Sequence, residues 1–385
     1  MDKVCLRGRD YRDLTALEIH GEQGVISRIR PLCRDDALPI IAPGLVDLQV
    51  NGFAGVDFNH HPIGEESVLA VTRRLWREGV TTFLPTVITH NDDDIEQMVR
   101  GIANARRQFA EVGQSVAGIH LEGPFISPED GPRGAHDRAL VKAPDWSLFQ
   151  RWQRAAGGNI RLLTLAPEWP GSEAFIRRCV REGVTVSLGH TGAGAEHIAA
   201  AVAAGASMST HLGNGAHLLL PRHPNYIWEQ LAQDNLWCAM IGDGEHLPVS
   251  VLKVFMRVKR QRGFLVSDAT SLAGMPPGRY QLHIGGDVVL TPQGRLSLAD
   301  NPGLLAGSAR SLLYGVNTLI REGLASRREA WDMASIRPAA MLDLPTQRGL
   351  AVGSPLNAVL LGESGKGELN VQSAYVRGEC VWREE

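Results

Sequence analysis

Residues 115–124 read Ser-Val-Ala-Gly-Ile-His-Leu-Glu-Gly-Pro. An apolar, strand-like run carries His120 and Glu122 at its end and stops at Gly123-Pro124. A carboxylate at the mouth of a strand invites a functional reading. Three later strand-like runs end in the same way, at His190, His211 and Asp268. The full set of such runs is 45–51, 80–86, 116–122, 160–166, 184–190, 207–211, 236–242 and 264–268. Several are nearly continuous in apolar residues, as expected of a parallel sheet covered on both faces.

Helical patterns fall between them, at 65–78, 93–112, 172–182, 194–204 and 248–261, with two more near 303–322 and 328–342 after a longer excursion. Asp92-Asp93-Asp94 is expected to supply the cap and the acidic first turn of the second helix. Eight strand–helix units predict an α/β fold, a closed (β/α)8 TIM barrel. The competing open, doubly wound sheet would gather its ligand at one switch point of strand order. A barrel lets side chains from several strand ends converge on one mouth. Short strand-like runs at 4–6, 15–19 and 24–29 recur at 349–353, 358–361, 368–372 and 373–376. Both chain ends are therefore expected to form one small β-sandwich domain, residues 1–43 plus 345–385, around a barrel at 44–344. Two separate decorations are the alternative.

With 385 residues, the chain can bury a large core. A net charge of −3 offers no electrostatic footprint for nucleic acid or an anionic membrane. A local pocket for an anionic substrate stays open. The five cysteines form no CxxC pair, which suits a reducing compartment. No secretory leader pattern or run of about 18 apolar residues appears, so a cytoplasmic location is expected. No dinucleotide fingerprint, phosphate-binding P-loop or GxSxG elbow is present.

Glu122, His190 and His211 form a candidate metal site. One carboxylate and two neutral imidazoles suit zinc first and iron second; taken singly, each is as readily a structural residue. Asp268 either binds the metal, takes a proton from activated water, or is a buried carboxylate bonded to backbone amides. His136 and His246 are candidates to hold a substrate hydroxyl or carbonyl, or are ordinary loop residues. Asn214 is placed to orient a substrate, and Asp243 either supports His246 or stabilises its own turn. In the loop 213–225, Arg222, with His217 and His223, is a candidate for an anionic group or a plain surface residue. The Leu218–Leu220 patch covers the mouth or meets a partner subunit; a homodimer is the expected assembly.

Taken in order, Pro43-Gly44-Leu45-Val46-Asp47-Leu48-Gln49-Val50-Asn51-Gly52, His120-Leu121-Glu122-Gly123-Pro124-Phe125, Leu188-Gly189-His190-Thr191, Thr210-His211-Leu212, Asp243-Gly244-Glu245-His246, Leu265-Val266-Ser267-Asp268-Ala269-Thr270 and Leu305-Ala306-Gly307-Ser308 resemble the N-acetylglucosamine-6-phosphate deacetylases of the amidohydrolase superfamily. The resemblance implies a metal-bearing barrel flanked by a β-sandwich. It implies Glu122, His190 and His211 as metal ligands and Asp268 as the catalytic acid/base. Substrate contacts are implied at His136, Asn214, Gly215, Arg222 and His246. Gln49-Val50-Asn51 stands where many amidohydrolases carry a His-x-His pair, which favours one metal ion over two. The implied reaction is hydrolysis of the N-acetyl amide of an amino sugar, N-acetylglucosamine 6-phosphate foremost. Hydrolysis of another N-acyl sugar or cyclic amide, and a barrel that binds a metabolite without turnover, are the alternatives. Asn214-Gly215-Ala216 and Arg222-His223-Pro224-Asn225 depart from the family's Asn-Ala-Met and Arg-Glu-Pro-Gly, which bears on the sugar epimer and its phosphate.

Overall fold

A computed structural model describes residues 3–282 and 286–385; the first two residues of the expected terminal domain lie outside the described residues. Four strands come first: β1 (Val4–Asp10), β2 (Ala16–Glu22), β3 (Val25–Pro31) and β4 (Ile40–Pro43). One residue later β5 (Leu45–Val50) opens the barrel, followed by a short hairpin of β6 (Gly52–Phe53) and β7 (Val56–Asp57). Seven more barrel strands follow: β8 (Val80–Ile88), β9 (Ile119–Glu122), β10 (Ile160–Leu165), β11 (Thr185–Leu188), β12 (Met208–Ser209), β13 (Trp237–Ile241) and β14 (Gly263–Val266). They pair in parallel, in sequence order, from β5 round to β14. All eight lie where the apolar runs placed them.

The seam between β14 and β5 is closed largely by side chains. Asp47 Oδ1 accepts from the Ser267 amide at 3.1 Å and the Gln49 amide at 3.3 Å. Ser267 Oγ donates to the Gln49 carbonyl at 3.3 Å. Beyond Asp268, Ala269 bridges in parallel to both Val50 and Ser308. A carboxylate buried at this seam stands in for a missing stretch of backbone ladder.

Helices cover the outside of the barrel. Asp92–Gln108 is capped by Asn91, whose Oδ1 accepts from the Asp94 amide at 2.9 Å, so Asp92, Asp93 and Asp94 form the acidic first turn and not the cap. Helices at Trp146–Ala155 and Tyr226–Ala232 were not expected. The first is interrupted by polar residues, and the second emerges straight from the Pro-rich loop, capped by Asn225. The helix expected from 303 starts only at Leu312, after a Ser311 cap. The one expected over 328–342 is two, Arg327–Met333 and Ile336–Met341. Ser335 breaks it by leaving helical geometry, and its Oγ donates to the Gly44 carbonyl at 2.8 Å. The excursion after β14 is a meander of β15 (Gly278–Leu282), β16 (Gly286–Leu290) and β17 (Leu296–Leu298).

The chain ends with β18 (Ala358–Glu363), β19 (Leu369–Val376) and β20 (Glu379–Arg383), which join the first four strands in one sheet of order β20-β19-β18-β4-β1-β2-β3. The runs at 368–372 and 373–376 are therefore one strand, and 349–353 forms turns, with the Gly353 amide donating to the Ile26 carbonyl. An isolated bridge from Val25 to Pro355 folds the sheet over its own core of Leu6, Leu17, Ile19, Ile26, Ile41, Leu356, Ala358 and Tyr375 as a small β-sandwich. Its other face, including Val359, Leu369 and Val371, joins the main barrel core. Among the described residues, no helix is long and apolar enough to cross a membrane.

Candidate active site

Glu122 ends β9, and its Oε1 is met from three directions. Gln49 Nε2 donates to it at 2.9 Å, His211 Nε2 lies at 3.0 Å and His190 Nε2 at 3.2 Å. All four side chains are buried. His190, His211 and Asp268 each follow the end of a barrel strand, and each has left-handed backbone, with φ of 51°, 25° and 49°. Non-glycine residues resist that region at a cost of about 1–2 kcal/mol each. The surrounding barrel maintains it, and the turn brings each chain off its strand at the mouth.

His190 Nδ1 lies 2.8 Å from the Pro132 carbonyl. A carbonyl can only accept, so Nδ1 carries the proton, and Nε2 of a neutral ring presents a lone pair to the Glu122 carboxylate. Two acceptors facing each other require a proton or a cation between them. A backbone carbonyl that fixes the tautomer of one histidine is a common support for a metal ligand. His211 has no such second partner: its Nδ1 is buried and unbonded among the described residues. Burial pushes the Glu122 carboxyl up, but the two imidazoles outweigh it and hold the group well below the usual carboxylate range. Burial lowers His211, and the Glu122 carboxylate more than reverses this, raising it to about 9. The donor set thus carries a fixed negative charge that needs a cation or proton, and it fits a divalent ion.

His136 approaches from the loop after β9. Glu122, His136 and His190 each offer a donor atom within 4.8 Å of the others. The His136 and His190 rings stand edge to face at 4.5 Å, and His136 Nδ1 is 2.8 Å from Thr89 Oγ1. Burial drops His136 to about 3, so its ring is neutral. Asp268 accepts from Asn51 Nδ2 at 2.7 Å. Burial raises its carboxyl, against the opposing pull of His211. His246 is held through Nδ1 by Asp243 Oδ2 at 2.7 Å, while Asp243 Oδ1 accepts the amides of Glu245 and His246, both at 2.9 Å. Asp243 therefore both supports His246 and shapes its turn.

Asn214 folds back on the turn after β12, its backbone N–H donating to the His211 carbonyl at 2.9 Å. Gly215 passes so close to His190 that a Cβ there would lie 2.7 Å from Nδ1. Arg222 alone stands apart: it is exposed, with no hydrogen bond or ion pair to the cluster among the described residues. Sequence reasoning did not assign roles to Gln49, Asn51, Thr89 and Pro132. The Gln-x-Asn at the end of β5, in place of His-x-His, was the available signal for the first two.

Comparison with known proteins gives the family. The model of the amidohydrolase family matches residues 40–381. The human N-acetylglucosamine-6-phosphate deacetylase is 34% identical over 361 residues, covering 91% of this chain and 85% of its own. An N-acetylgalactosamine-6-phosphate deacetylase from Shewanella sp. (strain ANA-3) is 33% identical, covering 90% and 84%. The structure of a Mycobacterium smegmatis N-acetyl-D-glucosamine-6-phosphate deacetylase mutant, in complex with N-acetyl-D-glucosamine-6-phosphate, superposes with a TM-score of 0.86 at 25% identity, covering 99% and 100%. The chain belongs to the amidohydrolase superfamily and, within it, to the N-acetylglucosamine-6-phosphate deacetylase family.

Proposed function

We propose that the chain hydrolyses the N-acetyl amide of an amino-sugar phosphate, N-acetylglucosamine 6-phosphate first, giving acetate and the amino-sugar phosphate. The observation that carries this reading is the Glu122 Oε1 centre, with His190 and His211 aimed at it and a buried, proton-hungry Asp268 nearby. Support for the substrate comes from relatives of both the glucosamine and galactosamine types.

Glu122, His190 and His211 would hold the ion, zinc by preference for this nitrogen and oxygen donor set. The bound cation supplies Lewis-acid activation of water and of the amide carbonyl. Asp268, steadied by Asn51, takes the proton from the attacking water and returns it to the nitrogen as the C–N bond breaks. His246, anchored through Nδ1 by Asp243, leaves Nε2 free for the substrate; it and His136 are the side chains assigned to the developing oxyanion. Asn214 and Gly215 line the sugar's approach. Arg222 is assigned the phosphate. The enzyme works in the cytoplasm as a homodimer.

The test is acetate release, with added zinc, from N-acetylglucosamine, N-acetylgalactosamine and their 6-phosphates. N-Acetylglucosamine 6-phosphate should be the best substrate. No acetate from any of the four would overturn the reading. Asp268→Asn should lower kcat by about 10²–10⁴ while the metal content stays at the wild-type level. Wild-type turnover in that variant would remove Asp268 from its role.

A further inference from the structure

A second constellation lies far from the barrel's chemistry in sequence, on the outward face of the terminal sheet. Strands β1 and β2 run antiparallel with Cys5 opposite His20 and Arg7 opposite Glu18. Their alternation sends Leu6 and Ile19 into the core and leaves Cys5 exposed. Cys5 Sγ, a Glu18 oxygen and a His20 ring nitrogen all lie within 4.8 Å of one another. Arg7 Nε occupies Glu18 Oε2 at 2.7 Å, and His20 Nε2 lies 2.6 Å from Oε1. One carboxylate oxygen is thus fixed by the guanidinium, and the other is turned to the imidazole.

We infer that Cys5, Glu18 and His20 form a second metal site, for a thiophilic divalent ion such as zinc or cobalt. Sulfur, imidazole and carboxylate are the donors such ions take, and three protein ligands leave a position for water. Binding displaces the thiol proton to solvent and forms a metal–sulfur bond. The thiolate and the carboxylate together cancel the charge of the dication. The loaded site is therefore neutral among Arg7 and the two arginines that pair across β3, Arg28 opposite His20 and Arg30 opposite Glu18. This site stands whether or not the barrel hydrolyses an amide.

The barrel donors include no sulfur, which separates the two sites spectroscopically. Full-length protein with zinc already in the barrel is titrated with cobalt(II), under a reductant that contains no thiol. A sulfur-to-cobalt charge-transfer band in the near ultraviolet should grow to saturation. It should be lost in Cys5→Ser, and the apparent affinity should fall about tenfold or more in His20→Gln and in Glu18→Gln. Cys33→Ser and Cys380→Ser should keep the band. Thermal unfolding matched to wild type excludes misfolding of these variants, including that of the buried Glu18. No band in the wild type, a band that survives Cys5→Ser, or unchanged affinity in both His20→Gln and Glu18→Gln would each overturn the site; the last would mean binding by the thiol alone.

Discussion

Gly215 passes close to the His190 ring on its Nδ1 side. It sits at φ +58°, and a methyl group there would meet His190 Nδ1 at 2.7 Å and Cε1 at 2.9 Å. His190 cannot yield without losing its bond to the Pro132 carbonyl. Gly215→Ala is therefore expected to weaken metal binding about 10–100-fold, the usual loss when a ligand's support is disturbed. The left-handed backbone should cost only about 1–2 kcal/mol of stability. Metal affinity by competition with a chelator, set beside the melting temperature, separates the two effects. Asp47 carries a different consequence. Burial raises its carboxyl to about 7, against the lowering pull of the Ser267 and Gln49 amides. An ordinary carboxylate titrates near 3.9. Between those values the folded chain holds a proton that the unfolded chain has released. Stability should therefore fall as pH rises from about 4 to about 7, by up to ~4 kcal/mol, and be insensitive to this group outside that window. Asp47→Asn should flatten that part of the profile in denaturant titrations; an unchanged slope would count against it. At this scale the sequence was informative about Glu122, His190, His211 and Asp268, because each follows an apolar run. It was silent about the left-handed backbone that turns three of them at the mouth, and about Pro132, a carbonyl with no side-chain signature.

The loop 213–225 is tied to the loop after β9 by one histidine. His217 donates its amide to Tyr226 Oη at 2.7 Å, and its Nδ1 lies 3.0 Å from the same oxygen. Its Nε2 faces Glu129 Oε2 at 3.2 Å. Glu129 belongs to the segment that supplies Pro132 and His136, so the pin connects the support of His190 with Asn214 and Gly215. A cavity of about 330 Å³ lined by Gly192, His217, Leu220 and Tyr226 lies beside it. Tyr226→Phe removes a hydroxyl that satisfies two groups, at a cost of about 1–3 kcal/mol. If the loop frames the substrate as proposed, that loss should appear as a rise of about 5–100-fold in KM with a smaller change in kcat. A fall in kcat at constant KM would contradict this role. The helix Tyr226–Ala232 that provides the hydroxyl was illegible in the sequence, since Pro221, Pro224 and the exposed Leu218 and Leu219 obscure any helical period. The barrel strands were legible for the opposite reason. Burial on both faces leaves them almost uniformly apolar.

Across the whole molecule, the barrel and the terminal sheet share one core, although the sequence pattern separates them at residues 43 and 345. Strand β4 runs into β5 through Gly44 alone. Trp331, fully buried on the barrel side, donates its indole N–H to the Pro43 carbonyl at 2.8 Å. Asn317 bonds both the amide and the carbonyl of Leu369, each at 2.9 Å, so a barrel helix acts as a short extension of the sheet ladder. Tyr11 Oη donates to Asp332 at 2.6 Å across the same junction. Val359, Leu361, Leu369, Val371, Ala374 and Val376 pack in the same apolar cluster as the barrel helices. Periodicity could show which residues face inward, but not which inward faces meet, because that depends on pairs hundreds of residues apart. With so many apolar and polar ties crossing the junction, neither part can open without exposing core of the other. Calorimetry should therefore record one unfolding transition and not two. Trp331→Ala, which leaves a large cavity and an unpaired Pro43 carbonyl, should cost about 3–5 kcal/mol. It should lower that single transition as a unit; a separate early transition, with the barrel melting at its original temperature, would show that the terminal sheet folds independently.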